Sequence, residues 1–173
     1  MGTEDRERTI GAPEPLTSSH DFLTFESGEP VLDHWLRRHA LAKERSGASR
    51  TFVTASRGGV VGFYSLAFGS VMRQAAPGKI GRNTPEQIPV MIVGRLAVDR
   101  AFQRRGLGRA LLRDAVLRTL QAASIAGIRA ILLHALSDEA KLFYLRCGFA
   151  EFPLNPMTLM ISVAEAVKIL SAE

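Results

Sequence analysis

The sequence predicts an α/β protein in the α+β sense: a single mixed sheet with one parallel crossover, flanked by helices. Two observations carry that prediction. An apolar run over 91–98 is followed by Gln103-Arg104-Arg105-Gly106-Leu107-Gly108, an amphipathic stretch to Leu120, and a second apolar run over 128–135, which reads strand, loop, helix, buried strand. Upstream, residues 51–55 and 60–68 flank Gly58-Gly59, a sequence suited to a two-residue hairpin turn, so the sheet begins as an antiparallel meander.

In chain order, residues 1–12 read as a flexible tail and 13–173 as one domain, a length that buries a sizeable core. The stretch from Pro13 gives a first strand or extended arm leading to Ser-Gly-Glu-Pro, with Pro30 in the first turn of a helix that ends at Ser46 and Gly47. Its apolar face is Val31, Leu32, Trp35, Leu36, His39 and Ala40. The proline- and glycine-rich stretch 70–89 reads as a long loop with room for one helical turn. The second long helix closes at Gly127. Asp138 caps or opens a helix over 139–146 that ends near Gly148, and closing strands over 149–152 and 157–163 are joined through Pro153 and Pro156. A last helix spans 164–170.

The helix that begins at Gly106-Leu107-Gly108 carries the chemistry. Its first N–H groups lack partners within the helix, so an anion placed there meets amide donors and the positive end of the dipole. Glycines admit a bulky diphosphate because no Cβ stands in the way, and the flanking arginines add charge. The pattern is neither Gly-x-Gly-x-x-Gly nor a P-loop ending in Gly-Lys and Ser or Thr.

Composition narrows the partners. The net charge is +5, and among the 22 basic residues arginine, the better phosphate ligand, far outnumbers lysine. Arg95, Arg100, Arg104, Arg105, Arg109, Arg113 and Arg118 concentrate that charge around the proposed loop, which suits a polyanionic substrate as well as a solvated helix face. The single cysteine, Cys147, excludes an intrachain disulfide and a cysteine-cluster metal site, and His34 and His39 have no partners at metal-ligand spacing, so no metal is expected. No run reaches membrane-span length and the opening residues lack a signal-peptide core, so a cytoplasmic protein with no membrane association is expected. Cys147 reads as a small buried residue and His134 as a satisfied core histidine.

The block Gln-Arg-Arg-Gly-Leu-Gly after a strand, with Phe143-Tyr144-Leu145-Arg146-Cys147-Gly148-Phe149 following at the right distance, resembles the GNAT acetyltransferases. Further blocks, from SGEPVLDHWL to HALSDEAKLFYLRCGF and NPMTLM, narrow the resemblance to the tRNA-acetylating GNAT toxins of bacterial toxin–antitoxin pairs, over about 13–161. The resemblance implies the GNAT fold with a splayed central parallel pair. It implies acetyl transfer from acetyl-CoA to the α-amino group of aminoacyl-tRNA, a homodimer, and a ribbon-helix-helix antitoxin. It further implies that main-chain groups of Leu96, Ala97 and Val98 pair with the pantetheine arm, that Arg104, Arg105, Gly106, Leu107, Gly108 and Arg109 cradle the pyrophosphate, and that Tyr144 protonates or hydrogen-bonds the departing thiolate. By charge alone, Arg95 and Arg100 are expected at the tRNA backbone. The sequence HALSD lacks the asparagine common at the end of this strand in the family, so no cofactor contact is expected there. No general base is evident. The competing readings are a GNAT acting on a protein or small-molecule amine, and a non-catalytic module that binds nucleic acid or a regulator.

Overall fold

The computed structural model describes residues 9–76, 78–83 and 85–171. Seven strands form one sheet in the order β1-β2-β3-β4-β5-β7-β6. They are β1 Glu14–Pro15, β2 Arg50–Ser56, β3 Gly59–Met72, β4 Gln87–Val98, β5 Ala130–His134, β6 Ala150–Phe152 and β7 Asn155–Ser162. The helices are α1 Pro30–Arg38, α2 Ala40–Ser46, α3 Gly78–Gly81, α4 Leu107–Ala123, α5 Asp138–Arg146 and α6 Val163–Ser171. The crossover is as expected: β4 and β5 run parallel in register from Val90↔Ala130 to Val93↔Leu133, while β5–β7 and β6–β7 are antiparallel. Of the expected tail, residues 1–8 lie outside the described residues, and the Gly11 amide bonds to the Ala55 carbonyl of β2 at 3.0 Å.

Main-chain contacts divide the chain into two compact units. One comprises residues up to Leu66 with Arg95–Asp114; the other comprises Ala67–Gly94 and the residues from Ala115 onward. In the first, α1 presents Leu32, Trp35 and Leu36 to Phe25, Val53 and Phe63. Phe63 is fully buried, stacked on Trp35 at 6.0 Å and edge-on to Phe25 at 5.5 Å. Phe63→Ala therefore leaves a cavity lined by two aromatic rings, and a loss of about 3–5 kcal/mol is expected in urea unfolding. In the second unit, Ile88 and Val90 of β4, Ala130 of β5 and Met160 of β7 pack with Ile80 of α3.

Four local expectations need correction. The hairpin turn is Arg57-Gly58, with φ of 52° and 82°, and Gly59 already pairs with Ser56. Both central residues are left-handed, as a type I′ turn requires. The single helix expected from Pro30 is two, because His39 (φ −124°) interrupts it; bonds from His39 N to Trp35 O and from Lys43 N to His39 O keep the two parts in close succession. On α1, Val31 is exposed and Asp33 is buried, so the inward face carries a carboxylate that hydropathy alone does not place there. The loop expected over 70–89 shrinks at both ends: β3 runs to Met72 with alternating exposure, and β4 starts at Gln87. Pro89 lies within β4 and lends only its carbonyl, which accepts from Arg129 N at 2.9 Å.

Candidate active site

Between β4 and α4 the chain makes a 3-10 turn, Arg100–Phe102, and then the exposed segment Gln103 to Gly106. Two residues there are left-handed, Arg104 at φ 63° and Gly106 at φ 81°. The backbone at Gly106 thus favours glycine, and a Cβ built on it meets nothing within 4 Å. Gly108 lies in the first turn of α4 and shows no positive φ. The helical ladder opens with the Ala110 amide on the Gly106 carbonyl at 3.1 Å, so the amides of Leu107 and Gly108 lead out of the helix end. Arg104, Arg105 and Arg109 are exposed around them, Arg105 lying over the Phe102 ring at 5.4 Å. The turn, the amides and the cations fit a diphosphate.

The strand leading into this turn supplies the second element. β4 continues past its last pairing with β5, at Val93, through Leu96 and Ala97 to Val98. Leu96 and Val98 are half-buried and Ala97 is buried. A strand end that has left its parallel neighbour offers main-chain donors and acceptors to an extended amide-containing chain.

Tyr144 is the one buried side chain assigned to α5. Its helix is capped at both ends. Ser137 Oγ accepts from Ala140 N at 3.1 Å, so Ser137 is the N-cap and Asp138 opens the helix. At the far end Gly148 (φ 100°) donates to Leu145 O and Phe149 N donates to Tyr144 O, both at 3.1 Å, while the Phe149 ring meets Tyr144 edge-on at 6.0 Å. That is a Schellman close with its hydrophobic contact, and it explains the run Tyr-Leu-Arg-Cys-Gly-Phe: glycine makes the turn that places Phe149 against the tyrosine. Phe143 completes the ring cluster at 5.1 Å. Burial raises the Tyr144 phenol well above its ordinary value of 10.0, and Cys147 adds to the shift. The phenol therefore keeps its proton at every physiological pH.

Residues 47–151 match the Acetyltransferase (GNAT) domain family. The chain belongs to the GNAT acetyltransferases. It is 51% identical over 155 residues, 90% of this chain and 93% of the relative, to a tRNA-acetylating toxin of Mycobacterium tuberculosis (strain ATCC 25618 / H37Rv). Among solved structures it is similar to AtaT complexed with acetyl-methionyl-tRNAfMet, with TM-score 0.86, 27% identity, and coverage of 94% of this chain and 99% of that one. It is also similar to a Tyr-to-Phe mutant of the AtaT toxin bound to acetyl-CoA and the C-terminus of the antitoxin AtaR, with TM-score 0.81, 26% identity, and coverage of 95% and 99%.

Within this GNAT chain the remaining candidates have definite places. Arg95 Cζ lies over the Trp35 ring, 4.2 Å from its centroid, and burial lowers the guanidinium below its ordinary value. Arg100 is exposed, 3.5 Å from Glu26, with its guanidinium against Gly28. Cys147 is buried, in keeping with a packing role. His134 is exposed and not in the core, with Nδ1 2.8 Å from Thr158 Oγ1. Among the described residues no cluster of three or more metal-ligating side chains occurs, and no helix is long and apolar enough to cross a membrane.

Sequence reasoning missed how the turn is held. Gln103 Nε2 donates to Ser27 O at 2.7 Å and to Val98 O at 2.8 Å; the Asp99 carboxylate accepts from Ala101 N at 3.0 Å and Glu26 N at 3.1 Å; and Arg100 N donates to Glu26 O at 2.8 Å. No local pattern marks these bonds, which join positions as far as 76 residues apart.

Proposed function

We propose that this protein transfers the acetyl group of acetyl-CoA to the α-amino group of aminoacyl-tRNA, and so acts as a toxin that blocks translation. The observation that carries the reading is the 51% identity to a tRNA-acetylating toxin over nearly the whole length of both chains. The left-handed turn before α4 and the buried tyrosine of α5 support it from chemistry.

Bound acetyl-CoA supplies an activated acetyl thioester. The amides from Arg104 to Arg109, opened by Gly106, hold its pyrophosphate, and the main chain of Leu96, Ala97 and Val98 pairs with its pantetheine arm. Tyr144 gives its proton to the sulfur as the carbon–sulfur bond breaks and the acceptor nitrogen takes the acetyl group; that nitrogen sheds one proton to solvent, and the Tyr144 phenolate regains one from solvent. An α-amine with a pKa of about 8 is partly neutral near pH 7.5, whereas a lysine amine near 10.4 is almost wholly protonated, so a site without an evident base favours the α-amino acceptor. Arg95 and Arg100 contribute to holding the tRNA backbone. Residues 13–173 act as one acetyltransferase domain, as a cytoplasmic homodimer neutralised by a ribbon-helix-helix antitoxin.

The test is direct. The protein is incubated with labelled acetyl-CoA and total aminoacyl-tRNA, the RNA is digested, and N-acetyl-aminoacyl-adenosine is sought. Its appearance is the expected result. Unmodified RNA beside an acetylated peptide would instead assign a protein-amine acetyltransferase, and absence of acetyl-CoA binding would leave a non-catalytic module.

A further inference from the structure

We propose that Asp33, on α1, is a positioning residue for acetyl-CoA binding: through Ser27 and Gln103 it fixes the turn that receives the pyrophosphate. The proposal rests on the acetyl-CoA reading of that turn. Asp33 is 4% exposed, and both of its carboxylate oxygens face Ser27. Oδ1 and Oδ2 accept from Ser27 N at 3.0 and 3.1 Å, and Ser27 Oγ donates to Oδ1 at 2.6 Å. Ser27 is itself buried, so its backbone has little freedom once those three bonds are made. Its carbonyl then stands as the acceptor for Gln103 Nε2 at 2.7 Å.

Gln103 is the link to the turn. Its amide nitrogen carries two hydrogens, and the second goes to Val98 O at 2.8 Å, so one side chain ties the end of β4 to the segment before α1. The next residue, Arg104, holds φ at 63° without being glycine, a conformation that persists only where the surroundings enforce it. The exposed stretch from Arg104 to Gly106 has no apolar burial of its own to do so. The neighbouring segment is stitched as well: Asp99 and Arg100 bond to Glu26 N and O, and Gly28 (φ 97°) lets Arg100 Nε come within 3.0 Å of where a Cβ would stand. Asp33 is the buried end of this chain of contacts.

The experiment measures acetyl-CoA affinity by calorimetry, and KM and kcat for both substrates, on wild type, Asp33→Asn, Ser27→Ala, Gln103→Met and the Gln103→Met pairs with the other two. Gln103→Met removes both bonds to the Ser27 and Val98 carbonyls, and Asp33→Asn removes the carboxylate that accepts all three Ser27 bonds, so an acetyl-CoA Kd and KM about tenfold higher are expected for each. Ser27→Ala removes one bond to that carboxylate and keeps the Ser27 amide and carbonyl in place, so about threefold is expected. The expected kcat and acceptor KM stay within about twofold, because ligand binding and not chemistry is affected. In each pair the effect is no larger than that of Gln103→Met alone, since the substitutions cut one chain at two points. Additive effects, or unchanged Kd in the single variants, overturn the proposal. Should Asp33→Asn not fold, the cycle of Ser27→Ala with exposed Gln103→Met decides by the same criterion. Wild-type protein that does not bind acetyl-CoA fails at an earlier step and removes the site reading together with the proposal.

Discussion

Tyr144→Phe is expected to lower kcat by roughly a hundredfold to ten-thousandfold, the range for loss of a positioned proton donor, while acetyl-CoA affinity stays unchanged. Only one oxygen is removed from a ring held by Phe143, Phe149 and the Schellman close, so the packing survives. The pH dependence follows from the sign of the shift. The phenol is raised from 10.0 by burial first and Cys147 second, which leaves it protonated throughout the assay range. The rate therefore rises as the acceptor amine loses its proton near pH 8 and then levels, with no descending limb below pH 10. Stability carries the same signature: the contribution from this burial is whole below the ordinary phenol pKa and is lost as pH climbs from 10.0 through the raised value. The Phe variant lacks that alkaline loss. Turnover within threefold of wild type would remove Tyr144 from the chemistry.

Gly106→Val is expected to raise the acetyl-CoA KM at least tenfold with a much smaller effect on folding. The position sits at φ 81°, and a Cβ there meets no neighbour within 4 Å, so the penalty lies in the backbone and not in a clash. A β-branched residue pays roughly 1–3 kcal/mol to stay left-handed, enough that the turn relaxes and its amides swing away. Single-turnover kinetics at saturating acetyl-CoA separates the effects, because chemistry recovers when binding is forced. A variant with wild-type KM would show that the amides of this turn do not hold the ligand.

Those two effects rest on motifs that were legible because their chemistry is local. A strand, a left-handed glycine and a helix start within a few residues announce an anion site, and Tyr144, Gly148 and Phe149 belong to one helix end. The parallel crossover was legible from two apolar runs separated by an amphipathic helix. The rest depended on long-range pairing. Nothing near Ser70 or Pro89 announces strand, and both extensions arise because β3 and β4 have neighbours to pair with. His134 lies in an apolar run, yet it is the last residue of β5, where cover on one face ends. The bond from Gln103 to Ser27 spans 76 positions, and periodicity reports which face a residue occupies, not how far its side chain reaches.

The lone thiol gives this protein a built-in gauge of local opening. Cys147 caps α5 at 7% exposure, three residues after the tyrosine, and its amide bonds back to Phe143 and Tyr144. A bulky disulfide reagent reaches the sulfur only while that helix end is unravelled. Its labelling rate under native conditions therefore counts how often the end of α5 unwinds, with no engineered probe and no second thiol to confuse the signal.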